Sequence, residues 1–260
     1  MLLTVEERQP LRPHLVRLVV RASEPEPFHA NPFTDKYVKL FFAKPELGLT
    51  PPYDMAALRE RLDPADLPVT RTYTISSVAG DILTIDFVVH GDEGLAGPWA
   101  AAAEPGAVLS CSHPGGAYSP DATADWHLMA GDLSAVPAIG AALQALPPDA
   151  RGLVFLEAPS ADDILELESP AAVTINWLVG APAGTQPDRL ADAIGAGEWP
   201  TGRVHVFAHG ERESMKAVRR LLKDKGVGRE QLSLSGYWAY GRTEDRFQAE
   251  KREPIGQIPD

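Results

Sequence analysis

Cysteine is nearly absent: the 260 residues hold one, Cys111. A single thiol excludes an internal disulfide and any site built on several thiolates, zinc included. Cys111 is read as a small buried hydrophobe rather than a nucleophile. Long apolar runs are also missing. Nothing approaches the roughly 18 consecutive apolar residues of a membrane-spanning helix. The opening MLLTVEERQPLRPHL puts Glu6, Glu7 and Arg8 where a secretory signal needs its apolar stretch. A cytoplasmic protein with no membrane insertion is therefore expected. Basic residues are in short supply: 24 Lys and Arg face 36 Asp and Glu, a formal charge of −12. That surface repels phosphate backbones and anionic membranes, so nucleic acid is not an expected partner. An anionic ligand would need a local basic patch.

What is present suffices for a folded, two-part chain. Hydrophobic residues make up 44%, and the length suits two compact domains. The first half reads as β. Leu15–Val20, Tyr37–Phe42, Val69–Ile75, Leu83–Val89 and Val108–Ser112 are short, branched or aromatic, and roughly alternating. Between Phe42 and Val69 an irregular, proline-containing segment holds one short helical stretch near Met55–Leu62. Around residue 120 the character changes. Trp126–Ala130 looks like a buried parallel strand ending at Gly131, and Ala135–Leu146 has helical apolar spacing. Leu153–Leu156, Val173–Leu178 and Val204–Phe207 read as strands, and Ser214–Lys225 as an amphipathic helix. The expected architecture is an N-terminal antiparallel β-barrel over residues 1–122. A doubly wound, parallel-sheet α/β domain follows over 123–260.

Four segments carry the chemistry. In Arg71-Thr72-Tyr73-Thr74, strand alternation puts Arg71 and Tyr73 on one face and Thr72 and Thr74 on the other. Arginine offers a planar, permanently charged fork for phosphate. A tyrosine two residues on can lie flat against a ring; an ordinary surface strand is the competing reading. One hairpin later, the strand through Asp86, Phe87 and Val88 runs into His90-Gly91-Asp92-Glu93-Gly94. An expected helix, Pro98–Ala103, follows after Ala96 and Gly97 and includes Trp99. Glycines permit close approach, and a helix start offers free amides to a pyrophosphate. Third, Gly131-Asp132-Leu133-Ser134-Ala135 ends a strand and caps a helix, the place where a doubly wound fold binds ligands. A capped, small-residue helix would account for it equally. The fourth is Ser235-Gly236-Tyr237-Trp238-Ala239-Tyr240-Gly241-Arg242, whose aromatics either seal the core or flank a flavin.

In combination these segments resemble the siderophore-interacting proteins, FAD-dependent ferric-siderophore reductases related to the ferredoxin–NADP reductase superfamily. The resemblance spans nearly the whole chain. It rests on Tyr37-Val38-Lys39-Leu40, on Arg71 to Thr74, and on His90-Gly91 with Gly94, Ala96 and Trp99-Ala100. It continues through Gly131-Asp132, Ala135, Pro137-Ala138-Ile139, His209-Gly210-Glu211, Gly236-Tyr237-Trp238 and Gly241. The resemblance implies a six-stranded flavin-binding barrel and an NAD(P)-binding-like second domain. It further implies that Arg71, Tyr73 and Thr74 hold FAD and that His90, Ala96 and Trp99 lie near its pyrophosphate. Asp132 and Ala135 would face the flavin ring and an incoming NADH or NADPH, with Asp132 the one candidate for a catalytic part. Thr72, Asp86, Phe87, Val88, Gly94, Gly97, Ser134, Tyr237 and Trp238 are expected to contribute to the cofactor sites.

Three departures stand out. Ser76 occupies the place of a common second arginine, Leu133-Ser134 replaces a glutamate-threonine pair, and His113-Pro114-Gly115-Gly116 lacks the arginine of its turn. The implied reaction needs no protein metal ligand, because iron arrives chelated in the ferric siderophore. Lys36, Lys39, Lys44, Arg242, Lys251 and Arg252 are candidates for receiving an anionic substrate. Reduced ferredoxin is a further candidate donor. A general NAD(P)H-dependent flavoprotein reductase and a non-catalytic siderophore-binding protein remain open as alternatives.

Overall fold

The computed structural model describes residues 1–91 and 94–258. Contacts divide the chain into two compact units, Met1–Ala117 and Tyr118–Asp260.

The first unit is a closed antiparallel barrel. Its strands are β1 (Leu2–Arg12), β2 (Leu15–Ala22), β3 (Tyr37–Phe42), β4 (Val69–Ala79), β5 (Ile82–Val88) and β6 (Val108–Cys111), in the order β1-β2-β5-β4-β3-β6. Short helices α1 (Glu26–Ala30), α2 (Met55–Arg61) and α3 (Ala96–Ala102) join them. Alternation along the strands supplies the core: Leu3, Val5, Leu18, Val20, Val38, Leu40, Ile75, Leu83, Ile85 and Phe87 all point inward and are buried. Each such side chain contributes about 1.5–3 kcal/mol by leaving water. Cys111 belongs to this core, and burial pushes its thiol up to about 11. A thiolate is therefore scarce at neutral pH, which suits the hydrophobe expected there.

β1 is the strand the sequence reading omits. Leu3 and Val5 anchor it inside, but Glu6, Glu7, Arg8 and Pro10 break the visible alternation. The break is real in the backbone: the β1–β2 register shifts between Val5 and Glu7 and again between Pro10 and Arg12. Bulges of this kind hide a period of two from pattern reading. β1 closes the barrel by pairing with β2 on one side and β6 on the other.

The second unit holds a five-stranded parallel sheet. Its strands are β7 (Trp126–Gly131), β8 (Arg151–Ala158), β9 (Ala172–Val179), β10 (Val204–Glu211) and β11 (Leu232–Trp238), in the order β11-β10-β7-β8-β9. The chain thus runs outward from β7 to β9, then returns to the other side of β7 with β10. The strand order reverses between β7 and β10, and this crevice is where open α/β sheets receive ligands. Helices α4 (Val136–Ala145), α5 (Arg189–Ala196), α6 (Arg212–Asp224) and α7 (Glu244–Glu250) complete the unit. Leu190 and Ile194 of α5 and Met215, Val218 and Leu222 of α6 share one core with Trp126, Leu128, Phe155 and Val206. At α7, Glu250 accepts from Arg212, Arg242 and Arg246 at 2.7, 2.9 and 2.8 Å, which holds its carboxyl down to about 2.

Candidate active site

On the barrel, the candidate flavin surface is organised by β4. Pairing with β3 sets Leu40 opposite Arg71, Val38 opposite Tyr73 and Tyr37 opposite Thr74. Tyr73 rests on the barrel core with its ring 4.2 Å from that of Phe87, tilted by 35°. A buried phenylalanine beneath it fixes the plane of an otherwise mobile ring. Arg71 is half-buried, and its Nη1 donates to the Thr70 carbonyl at 2.8 Å, which orients the guanidinium. Thr72 is exposed and Thr74 buried. Beyond the motif a bulge lies between Ile75 and Ser77. Ser76 there meets the Thr84 hydroxyl at 2.6 Å and its carbonyl at 3.1 Å, tying β4 to β5.

The Asp86 carboxylate accepts a two-pronged bond from Arg17 on β2, at 2.6 and 2.8 Å. That pair braces two neighbouring strands, and the hydrogen bond to the buried carboxylate raises the Arg17 pKa further. Phe87 is buried and Val88 half-buried at the end of β5. His90 is exposed, its ring 6.2 Å from that of His14. Asp92 and Glu93 lie outside the described residues. Gly91 (φ +57°) and Gly94 (φ +82°) occupy the left-handed region that side chains disfavour. Ala96 is buried, and α3 begins at it, two residues before the expected Pro98. A Cβ at Gly97 would stand 3.1 Å from the Val88 carbonyl oxygen, a tight contact that glycine avoids where α3 approaches the end of β5. Trp99 packs edge-on against Phe42 with centroids 5.8 Å apart.

In the second unit, the switch-point crevice is built from glycine and one carboxylate. A Cβ at Gly131 would collide with the carbonyl oxygen of His209, and one at Gly210 would come within 2.7 Å of Asp132 Oδ2. Asp132 is buried and receives four donors. The Ser134 amide (2.8 Å) and hydroxyl (2.5 Å) bind one oxygen, and the Glu211 amide (2.9 Å) and Trp238 indole (2.9 Å) bind the other. It therefore ties the β7 loop to β10 and β11. Ala135 is buried directly before α4. Tyr237 lies 4.8 Å from His209, whose Nε2 meets Ser233 Oγ at 2.9 Å. Burial pulls the His209 pKa down to about 3, so the imidazole is neutral.

The basic residues named for substrate fare unequally. Lys36 donates to the Phe33 carbonyl, and burial lowers its pKa. Lys44 pairs with Asp66 and Arg242 with Glu250, while Lys251 sits 4.6 Å over the Phe247 ring. Arg252 is exposed beyond α7. Lys39 is exposed on β3 and forms no ion pair among the described residues.

Sequence reasoning assigned no site role to three residues near the strand ends. Glu211 caps α6 through the amides of Glu213 (2.6 Å) and Ser214 (2.9 Å) and also receives the Tyr240 amide (3.0 Å). Glu157 closes the apolar run of β8 and is only 3% exposed. Burial and the nearby Asp132 push its pKa up to about 7. Arg189 opens α5 and donates through Nη2 to the Val179 carbonyl at 2.6 Å. A glutamate ending the run Leu153-Val154-Phe155-Leu156 was a visible signal, since nothing in a buried strand needs one.

Comparison with known proteins decides the family. Residues 4–118 match the siderophore-interacting FAD-binding domain, and residues 124–241 match the siderophore-interacting protein model. An uncharacterized protein of Mycobacterium tuberculosis is 42% identical, covering 94% of this chain and 91% of the relative. The ferric vibriobactin reductase of Vibrio cholerae is 37% identical over 83% of this chain and 80% of its own. The siderophore-interacting protein of Aeromonas hydrophila superposes with a TM-score of 0.81 at 30% identity, covering 99% of this chain and 98% of that one. The chain belongs to the siderophore-interacting protein family. A more distant relative, 25% identical over 85% of this chain and 86% of its own, is the NADPH-dependent ferric-chelate reductase of Escherichia coli.

The barrel of this siderophore-interacting protein suits FAD on structural grounds as well. A braced aromatic face at Tyr73, an oriented cation at Arg71 and a side-chain-free backbone at Gly91, Gly94 and Gly97 provide for a flat ring and a diphosphate. Among the described residues no group of three His, Cys, Asp or Glu side chains could hold a metal ion.

Proposed function

We propose that the protein reduces ferric siderophores, with FAD on the barrel and a nicotinamide donor on the parallel sheet. The observation that carries this reading is Tyr73 braced on Phe87 beside Arg71, in a barrel matching the family's FAD-binding domain. FAD, when bound, supplies the exchange between a two-electron donor and a one-electron acceptor. The protein supplies position. Arg71 meets the negative charge of the cofactor, Tyr73 and Thr74 set the plane of its ring, and His90, Ala96 and Trp99 border its phosphates. Asp132 keeps the β7 and β10 strand ends locked together, so the crevice between them is rigid when a nicotinamide arrives. The parallel sheet with its switch point favours a dinucleotide over a reduced ferredoxin as donor.

Ferrous iron suits hard oxygen chelators less well than ferric iron, so reduction loosens the complex. Lys39 is the candidate contact for an anionic chelate on the barrel, since Lys36, Lys44 and Arg242 are engaged elsewhere. No described helix is long and apolar enough to cross a membrane. We assign the reaction to the cytosol because nicotinamide donors are available there.

The test is a coupled assay under nitrogen. FAD-loaded protein, NADH or NADPH and a ferric siderophore are mixed with a chromogenic ferrous chelator. Trapped Fe(II) should accumulate only when protein, FAD and nucleotide are all present. A reaction no faster than the protein-free control would overturn the proposal.

A further inference from the structure

The mechanism makes no use of Glu157 and Arg189, yet both carry unspent polar capacity at the C-terminal edge of the sheet. Glu157 is almost fully buried, and no described residue gives its carboxyl a hydrogen bond. A buried carboxyl without a partner is costly and asks for an explanation. Arg189 satisfies its Nη2 on the Val179 carbonyl, while its Nη1 is buried with no partner among the described residues. The two meet at neighbouring strand ends, since Arg189 holds the carbonyl of Val179 and Val179 pairs with Ala158, the residue after Glu157; no ion pair joins them. An unspent acceptor thus stands near an unspent donor, with neither satisfying the other.

The surroundings narrow what could. Asp132 follows the Gly131 that pairs with Leu156, Glu211 at the end of β10 donates its amide to Asp132, and Arg189 at the start of α5 holds the end of β9, so all three border the strand end that carries Glu157. The loop after β9 descends on the same edge, for a Cβ at Gly184 would lie 2.8 Å from Glu211 Cγ and 2.7 Å from Tyr240 Cβ. Arg189 also lines an open cleft of about 290 Å³ with Gln186, Pro187, Asp188 and Asp192. A metal ion does not fit, because the acids do not converge into a three-ligand group. A phosphate does not fit either, since one arginine would have to outweigh Glu157, Glu211, Asp188 and Asp192. A vicinal diol fits, because one hydroxyl can donate to the carboxyl while its neighbour accepts from the guanidinium.

β7 is the first strand of the sheet and β8 its neighbour, and in doubly wound dinucleotide folds an acid some twenty residues past the first strand reads the ribose 2′-hydroxyl. We infer that Glu157, with Arg189 beside it, binds the adenosine ribose diol of the nicotinamide donor and so selects NADH over NADPH. The inference rests on the proposed reductase function and deepens it. The selection is one of exclusion as much as attraction. NADPH has its 2′-oxygen esterified, so it cannot donate to Glu157, and it brings a dianion toward four acids.

The test is calorimetric titration of the FAD-loaded protein with NAD⁺, NADP⁺ and 2′-deoxy-NAD⁺. Wild type should bind NAD⁺ about tenfold or more tightly than either analogue, the weight of one hydrogen bond to a charged group plus a repelled phosphate. Glu157→Gln should lose about tenfold in NAD⁺ affinity and leave 2′-deoxy-NAD⁺ within about twofold, with FAD content unchanged. Tighter NADP⁺ binding by wild type, or equal binding of NAD⁺ and its deoxy analogue, would overturn the inference without any variant. Failure of both nucleotides to bind would overturn it too. The reductase reading is judged separately: chemically reduced protein that a ferric siderophore reoxidises preserves that reading, and absence of reoxidation ends it.

Discussion

At the scale of single residues, what decides a side chain's role is which of its bonds are already taken. Asp86 and Asp132 both lie in segments marked for cofactor contact, but Arg17 occupies the first and four donors occupy the second. The Arg71 fork is oriented by a bond from its Nη1 to the Thr70 carbonyl. Replacing Arg71 by Ala should weaken FAD binding by about tenfold to a hundredfold, as expected for a lost charge-assisted hydrogen bond. Flavin absorbance retained after desalting measures this, and full retention would remove Arg71 from the cofactor site.

Glu157 makes a second prediction at this scale, through pH. Its folded-state pKa of about 7 lies above the ordinary 4.5, owing to burial and to Asp132, with Glu211 adding and Arg189 opposing. Below about pH 4.5 both folded and unfolded chains hold the proton. Between the two values only the folded chain does, so stability falls as pH rises through about 7. The loss is at most on the order of 3 kcal/mol, the free-energy equivalent of such a shift. Glu157→Gln carries no such proton. Its melting temperature relative to wild type should climb from pH 5 to pH 8, and a pH-independent difference would show that Glu157 stays ionised.

At the scale of elements, the β7–β10 crevice depends on two strands approaching where no side chain intervenes. Gly131→Ala sets a methyl group against the His209 carbonyl, a backbone atom that cannot swing aside. A loss of about 1–3 kcal/mol, the usual cost of overpacking, is expected in urea unfolding followed by tryptophan fluorescence. FAD binding by the barrel should be untouched, and a variant as stable as wild type would mean the crevice is looser than the structure has it.

Elements also show how much the sequence disclosed. The barrel followed by a doubly wound sheet was legible because β2 to β6 and β7 to β10 carry strong local patterns, and β3 and α2 fall within a residue of expectation. β1 was hidden by its two bulges and by Pro10. β11 was hidden differently. Its Ser233, Ser235 and Gly236 have little β-character, and the strand forms because a whole neighbouring edge, β10, is available to pair with it. α5 was passed over as well, with Gly195 near its end and only two turns of length. In the site, the Arg71 strand and the glycines around α3 were legible from residue type. The spent state of Asp86 and the unspent state of Glu157 were not, because both depend on partners tens of residues away.

At the scale of the whole molecule, the charge of −12 opposes the substrate class proposed for it. An anionic ferric chelate approaches a like-charged surface, and salt screens that repulsion over a Debye length of about 30 Å at 0.01 M and about 8 Å at 0.15 M. Raising ionic strength across that range should therefore increase kcat/KM for an anionic chelate and leave a neutral one unchanged. A fall in kcat/KM with salt would instead reveal a local basic field, centred on side chains such as Lys39, that dominates encounter.

The central claim is that electrons pass from flavin on the Arg71–Tyr73 strand to chelated ferric iron. Its most direct test is a single spectrum followed in time. The FAD-loaded protein is reduced under nitrogen with a chemical reductant, excess reductant is removed, and one equivalent of ferric siderophore per electron is added. The absorbance band of oxidised flavin should return as Fe(II) appears. A flavin that stays reduced in the presence of the ferric siderophore would contradict the account.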